Sequence, residues 1–185
     1  MADNTLAPTL LLAMPQMQDP NFARSVVLLC KHGSEGAMGL VVNRRTDTRA
    51  SEIVSLNPPP QRDSGLEVWV GGPVEPGRGW LLLGYEPVLQ EAISVGDGFY
   101  LCASTDLLRR LIEGEGGGQS EHRLLLGYAG WGAGQLEAEL AASAWLTVEP
   151  SKRLVFGTPP ERMWETAIRS LGVDPYSLQM GSGVH

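Results

Sequence analysis

The 185-residue chain has two cysteines, three histidines and no excess of positive charge, and no apolar run in it approaches the ~20 residues a membrane-spanning helix needs. Two cysteines cannot make a disulfide framework, and neither Cys30 nor Cys102 sits in a zinc-type spacing. Each lies inside an apolar run, "VVLLCKH" and "FYLCAS", as buried free thiols of a reducing compartment do. His32, His122 and His185 are scattered, with no paired-ligand spacing, so neither a metal centre nor a cofactor is expected. The opening "MADNTLAPTLLLAMP" lacks a basic leader and a long apolar stretch, so the expected setting is cytoplasmic, with no membrane partner. Lys and Arg number 14 against 21 Asp and Glu, a net charge of −7. Nucleic-acid binding relies on cations that neutralise phosphates, so direct binding of a polyanion is not expected. Arg44, Arg45 and Arg49 form the densest basic cluster and read as a solvated loop.

What is present suits one globular domain spanning 1–185. Apolar residues make up 43%, enough for a sizeable core, while 23 glycines and 13 prolines promise many turns. Segments 9–15 and 25–32 read as strands, and "GSEG" at 33–36 as a hairpin turn into 37–44. Under a two-residue period Val26, Leu28, Cys30 and His32 share one face. Val27 and Leu29 on the other face are also apolar, which predicts a central strand covered on both sides. Further strands are expected at 66–74, 79–85, within 92–104, at "HRLLLGY" and at "AWLTVEP". Helices are expected at 50–56, after Ser104, over 134–142, and after Thr158, where Thr-Pro-Pro-Glu has the form of a capping box. Strands early and helices late argue for an α+β architecture over a doubly wound sheet.

Strand, glycine stretch and helix in "HRLLLGYAGWGAGQLEAEL" have the outline of a phosphate loop. The spacing fails it: after Gly132 and Gly134 the place of the third glycine is taken by Glu137, and no Lys-Ser/Thr pair follows. A carboxylate in the first helical turn stabilises that helix and repels an anion. A structural turn is the better reading, with Trp131 a candidate border of a ligand cleft. Three glycine-dense strand ends are grouped as one expected ligand or partner surface: Asn43 and Arg44; Gly71 and Gly72; Gly130, Trp131 and Gly132. The rival is an enzyme using Cys30 and His32 as a thiolate–imidazole pair, which requires the two to meet on one strand face.

The blocks "DPNFARSVVLLCKH", "GAMGLVVNR", "VGGPVEPGRGW" and "GYAGWGAGQLEAELAASAWLT" resemble the bacterial AlgH/YqgE family over nearly the whole chain. The resemblance implies an α+β fold with a bifurcated, mostly antiparallel sheet curled into a pseudo-barrel and helices packed outside. It implies no agreed catalytic residues. Its members are described as transcriptional regulators, a role that the acidic charge and the absence of a basic reading helix do not favour here. A regulatory or binding protein acting through a protein partner or a small molecule is the function expected.

Overall fold

The computed structural model describes residues 5–88, 91–115 and 121–181; His185 lies outside them. Ten strands form one curled sheet: β1 Thr9–Ala13, β2 Val26–Gly33, β3 Gly36–Val41, β4 Arg45–Arg49, β5 Glu67–Val70, β6 Val74–Leu83, β7 Ile93–Gly96, β8 Phe99–Cys102, β9 His122–Gly132 and β10 Trp145–Val148. Among the described residues six helices accompany them: α1 Ala50–Ile53, α2 Thr105–Ile112, α3 Gln135–Ala141, α4 Lys152–Gly157, α5 Pro160–Ser170 and α6 Pro175–Gly181. The order along the sheet is β10-β1-β2-β3-β9-β6-β8-β7, and all of these neighbours are antiparallel. The sheet closes into a half-barrel, the α+β architecture expected from the sequence.

β9 is where the sheet forks. Its C-terminal half pairs with β3, from Gly132 opposite Gly36 to Ala129 opposite Gly39. Its N-terminal half pairs in parallel with β5, Leu124 to Leu126 opposite Val68 to Val70, and β4 continues that branch. The branches meet where Val41 N–H donates to the Gly71 carbonyl. From there the chain crosses β9 to its other edge and resumes as β6, with Val74 opposite Tyr128. At the crossing, backbone lies directly on backbone: a Cβ on Gly72 would strike the Tyr128 carbonyl group, and one on Gly127 would strike the Gly72 oxygen. The Gly71-Gly72-Pro73 step is therefore a crossover, with Gly72 at φ +153°.

Three apolar clusters hold the layers together. One side of β1–β3 packs Leu10, Leu12, Val26, Leu28 and Leu40 against α4 and α5, which supply Val155, Phe156, Met163, Trp164 and Ile168. The opposite side packs Leu11, Val27, Leu29 and Val41 against Trp131, Leu136 and Trp145. A third cluster lies under α1 and α2, around Leu81, Leu83, Leu107 and Ile112. Apolar residues on both faces of β1 and β2 are thus explained by cover on both sides, as the sequence pattern predicts for β2.

Several local expectations are revised. The glycine stretch is mostly strand: β9 runs through Gly132, and only residues 133–134 turn, with Gly134 left-handed at φ +74° ahead of α3. The arginine-rich loop is β4, an exposed strand whose Arg45 and Arg49 pair with Glu67 and Asp63. Thr158 does not cap α5; it ends α4, donating to the Arg153 carbonyl, and Pro159 precedes α5 without a side-chain cap. Ser104, by contrast, caps α2 by accepting from Leu107 N–H at 3.1 Å.

Candidate functional site

A β-bulge decides the fate of the Cys30–His32 pair. β2 and β3 run in register from Val27 opposite Val41 to Leu29 opposite Gly39; after the bulge Lys31 stands opposite Met38 and His32 opposite Ala37. Directly opposed residues share a face, and Ala37 belongs to the cluster of Trp131, while Cys30 and Met38 pack against the cluster of α4 and α5. The extra residue at Cys30 flips the alternation, so the thiol and the imidazole face opposite sides of the sheet. The same-face expectation assumed an unbroken period of two, which the bulge removes.

The thiol is also in the wrong environment for nucleophilic work. Burial pushes its pKa up to about 12, and the thiol donates to the Leu28 carbonyl at 3.4 Å. At pH 8 roughly one thiol in 10⁴ is then ionised, against about a quarter for an unperturbed cysteine. Alkylation of Cys30 by iodoacetamide in the native protein is expected to run on the order of 10³-fold slower than in urea-unfolded chain. Peptide mapping of the labelled sites checks this, and rapid native labelling of Cys30 would overturn it.

The three glycine-dense strand ends do not form one surface. Asn43 and Arg44 do adjoin Gly71 and Gly72, since Val70 N–H donates to the Arg44 carbonyl. Yet both glycines are buried in the crossover, and Asn43 is occupied in bracing the start of β2. Its Oδ1 accepts from Val26 N–H and its Nδ2 donates to the Arg24 carbonyl, both at 3.0 Å. The Arg44 guanidinium likewise donates to the Ala23 carbonyl. Gly130, Trp131 and Gly132 lie at the other end of the hairpin, beside Gly36. Seven residues of extended chain separate Gly36 from Asn43, about 23 Å at 3.3 Å per residue.

It is at that far end that a cleft opens. Its volume is about 740 Å³, within the range of ligand pockets. The tip of the β2–β3 hairpin supplies Lys31, His32, Glu35 and Met38; β9 supplies Trp131 and α3 supplies Glu137. His32 and Glu137 meet, Nε2 to Oε1, at 2.5 Å. The imidazole is nearly enclosed, with 9% of the side chain exposed, while the carboxylate is 48% exposed. The Glu137 carboxyl is held below the ordinary range, first by its own backbone N–H at the start of α3 and then by His32. On the other ring nitrogen, His32 Nδ1 accepts from Leu6 N–H at 3.1 Å. With both nitrogens engaged, the ring has no free lone pair for general-base work in this arrangement.

From the sequence, His32, Trp131 and Glu137 were each visible singly. Their meeting was not, because 105 residues separate His32 from Glu137 and only the bulge aims the imidazole at α3. The contribution of residues 5 and 6 has no sequence signal at all. Among the described residues, no group of three or more His, Cys, Asp or Glu side chains converges as a metal site, and no helix is long and apolar enough to cross a membrane.

Fold and site together define a forked α+β half-barrel carrying an open cleft at its hairpin tip. The same class is found among solved structures: the AlgH protein of Pseudomonas aeruginosa matches with a TM-score of 0.74 at 38% identity, covering 96% of this chain and 94% of that one. A Corynebacterium diphtheriae protein shares the fold at a TM-score of 0.70 and 22% identity, over 92% of this chain and 90% of that one. The AlgH-like family model matches residues 10–176, and the chain belongs to that family. Similar relatives include UPF0301 proteins of Myxococcus xanthus, 43% identical over 97% of this chain and 98% of the relative, and of Ruegeria pomeroyi, 40% identical over 96% and 98%.

Proposed function

We propose that the protein is a regulatory binding protein of the cytoplasm that receives a small molecule, or a short segment of a protein partner, in the cleft at the β2–β3 tip. The observation that carries this reading is the cleft's construction. Ala37 and Trp131 give the cleft an apolar side beside Glu35 and Glu137, and the hairpin tip brings Lys31 and Met38 to it from its opposite face, so apolar area and charges of both signs border one space. Two free cysteines suit a reducing compartment. The enzyme alternative is weakened by the separation of Cys30 from His32. Transcriptional control by direct DNA contact has no comparable support, because the cleft presents two carboxylates to one lysine.

The test is amide-shift mapping of ¹⁵N-labelled protein titrated with pooled small metabolites and, separately, with pooled short peptides. Shifts are expected to cluster at Lys31, Met38, the Trp131 indole and Glu137. Lys31→Ala is expected to weaken the selected ligand on the order of 10-fold, the loss of one charge-assisted hydrogen bond. Shifts centred on Asn43 and Gly72, or no shifts from either pool, would overturn the proposal.

A further inference from the structure

His32 joins three separate parts of the chain. Its backbone and ring hold residues 5–7: Thr5 Oγ1 donates to the His32 carbonyl at 3.3 Å, Leu6 N–H donates to Nδ1, and Ala7 N–H returns to Thr5 Oγ1 at 3.2 Å. Its Nε2 reaches Glu137 on α3. A backbone N–H can only donate, so Nδ1 must be the bare nitrogen and Nε2 the protonated one. The tautomer is therefore fixed by the two partners. Thr5 is also part of the cleft wall, so the first residue of this short strap borders the cleft.

We infer that His32 is a proton-operated latch: neutral, it fastens the strap of residues 5–7 against the hairpin, and doubly protonated, it releases the strap while keeping hold of α3. A second proton on Nδ1 converts the acceptor into a donor that points at the Leu6 N–H, and two donors cannot bond. The same proton turns the Nε2–Glu137 hydrogen bond into an ion pair, which strengthens it. The two contacts of one ring thus respond to acid in opposite directions. Leu6 and Thr5 are exposed, so the freed groups are taken up by water, and release has a low barrier from desolvation.

The groups around the ring come from the hairpin, α3, β9 and the strap. The hairpin brings Lys31, which opposes a cation, and Glu35, which favours one. α3 brings Glu137, the nearest group and already ionised, and β9 brings only the uncharged Trp131. The strap itself, Thr5, Leu6, Ala7 and Pro8, has no titratable side chain. Release stops at Pro8, whose ring sits against Gly96 and which leads directly into β1. Acid therefore frees the strap at the cleft's border without unpairing the sheet. As regulation of the cleft, the latch rests on the proposal that ligands bind there; as a movement of the strap, it does not.

Hydrogen exchange and ring ¹⁵N shifts, measured on the full chain without ligand from about pH 8 to about pH 5, test it across the span in which histidine changes charge. The protection factor of the Leu6 amide is expected to fall at least ~10-fold as the His32 ring takes up its second proton, while the amides of Leu11 and Leu12 in β1 keep theirs. His32→Asn, which offers an oxygen near the Nδ1 position and cannot titrate, is expected to abolish the pH dependence at Leu6. Constant Leu6 protection while the ring titrates, a ring that never titrates in this span, equal loss across β1, or pH dependence surviving in His32→Asn would each overturn the latch. Since no ligand is used, a failed latch leaves cleft binding standing, and a working latch stands even if the cleft proves empty.

Discussion

Gly72→Ala is expected to destabilise the protein by about 4 kcal/mol, adding roughly 1–3 kcal/mol of backbone strain to a comparable overpacking cost. Gly72 sits at φ +153°, where a side chain is strained whatever the space around it, and its new methyl would enter the Tyr128 carbonyl group. Neither atom can rotate away, because both belong to backbone held in register: Val74 is paired with Tyr128 on one edge of β9, and Val41 with the Gly71 carbonyl on the other. For a chain of this length the thermal midpoint is expected to drop by roughly 8–16 °C. Gly127→Ala meets the same crossing from below, since its methyl would strike the Gly72 oxygen. The double substitution is expected to cost clearly less than the sum, for once one methyl has forced the strands apart the second finds the gap already open. Calorimetry of the two single variants and the double variant checks both statements. Additive losses, or a Gly72→Ala variant as stable as the parent, would show that the crossover is looser than described.

Trp164→Ala is expected to lose a similar amount, about 4 kcal/mol, by a different physical route. The indole is 2% exposed within the cluster that joins α5 to β1 and β2. It is tied to the far end of the chain, donating from Nε1 to the Ala13 carbonyl at 2.8 Å across 151 residues. The Arg24 guanidinium lies 4.7 Å above the ring and is paired with Glu165 at 3.0 Å. Removing the indole leaves a large cavity and an unpaired carbonyl. Trp164→Phe keeps most of the ring and forfeits only the donor, with an expected loss of about 2 kcal/mol. The half-cost of the Phe variant separates hydrogen bonding from volume. Urea unfolding followed by circular dichroism suits the comparison, because four other tryptophans complicate fluorescence.

The architecture was largely legible because its signals are local. Apolar residues on both faces of segment 25–32 announced a central strand, and Ser104 announced a helix start. The family blocks pointed to the forked sheet. What escaped depended on single-residue irregularities and on contacts distant in sequence. The bulge at Cys30 inserts one residue and reverses every side-chain direction after it, which no periodic pattern can foresee. β4 escaped because alternating arginine and threonine on an exposed strand resembles a solvated loop. Gly71 and Gly72 were grouped with a ligand or partner surface for their glycine density, but what lies against them is β9. Of the site, Trp131 and His32 were named in advance for separate reasons, and the latch partners Leu6 and Glu137 became meaningful only when topology placed them on either side of one ring.

The position of the fork along the chain has a consequence for biosynthesis. β3, β5 and β6 all lean on β9, yet all three precede it in sequence. A nascent chain emerging from the ribosome has its edge strands ready long before their common partner arrives. Until residue 132 is free, two branches and a crossover wait with unpaired edges, and α5 must then follow to seal the first hairpin. The units β1-β2-β3, β4-β5 and β6-β8-β7 pair among themselves, but β9 is the strand that joins them into one sheet. The complete sheet is therefore expected to close late in synthesis, and the interval before residue 132 emerges is when the chain's unpaired strands are most open to its neighbours.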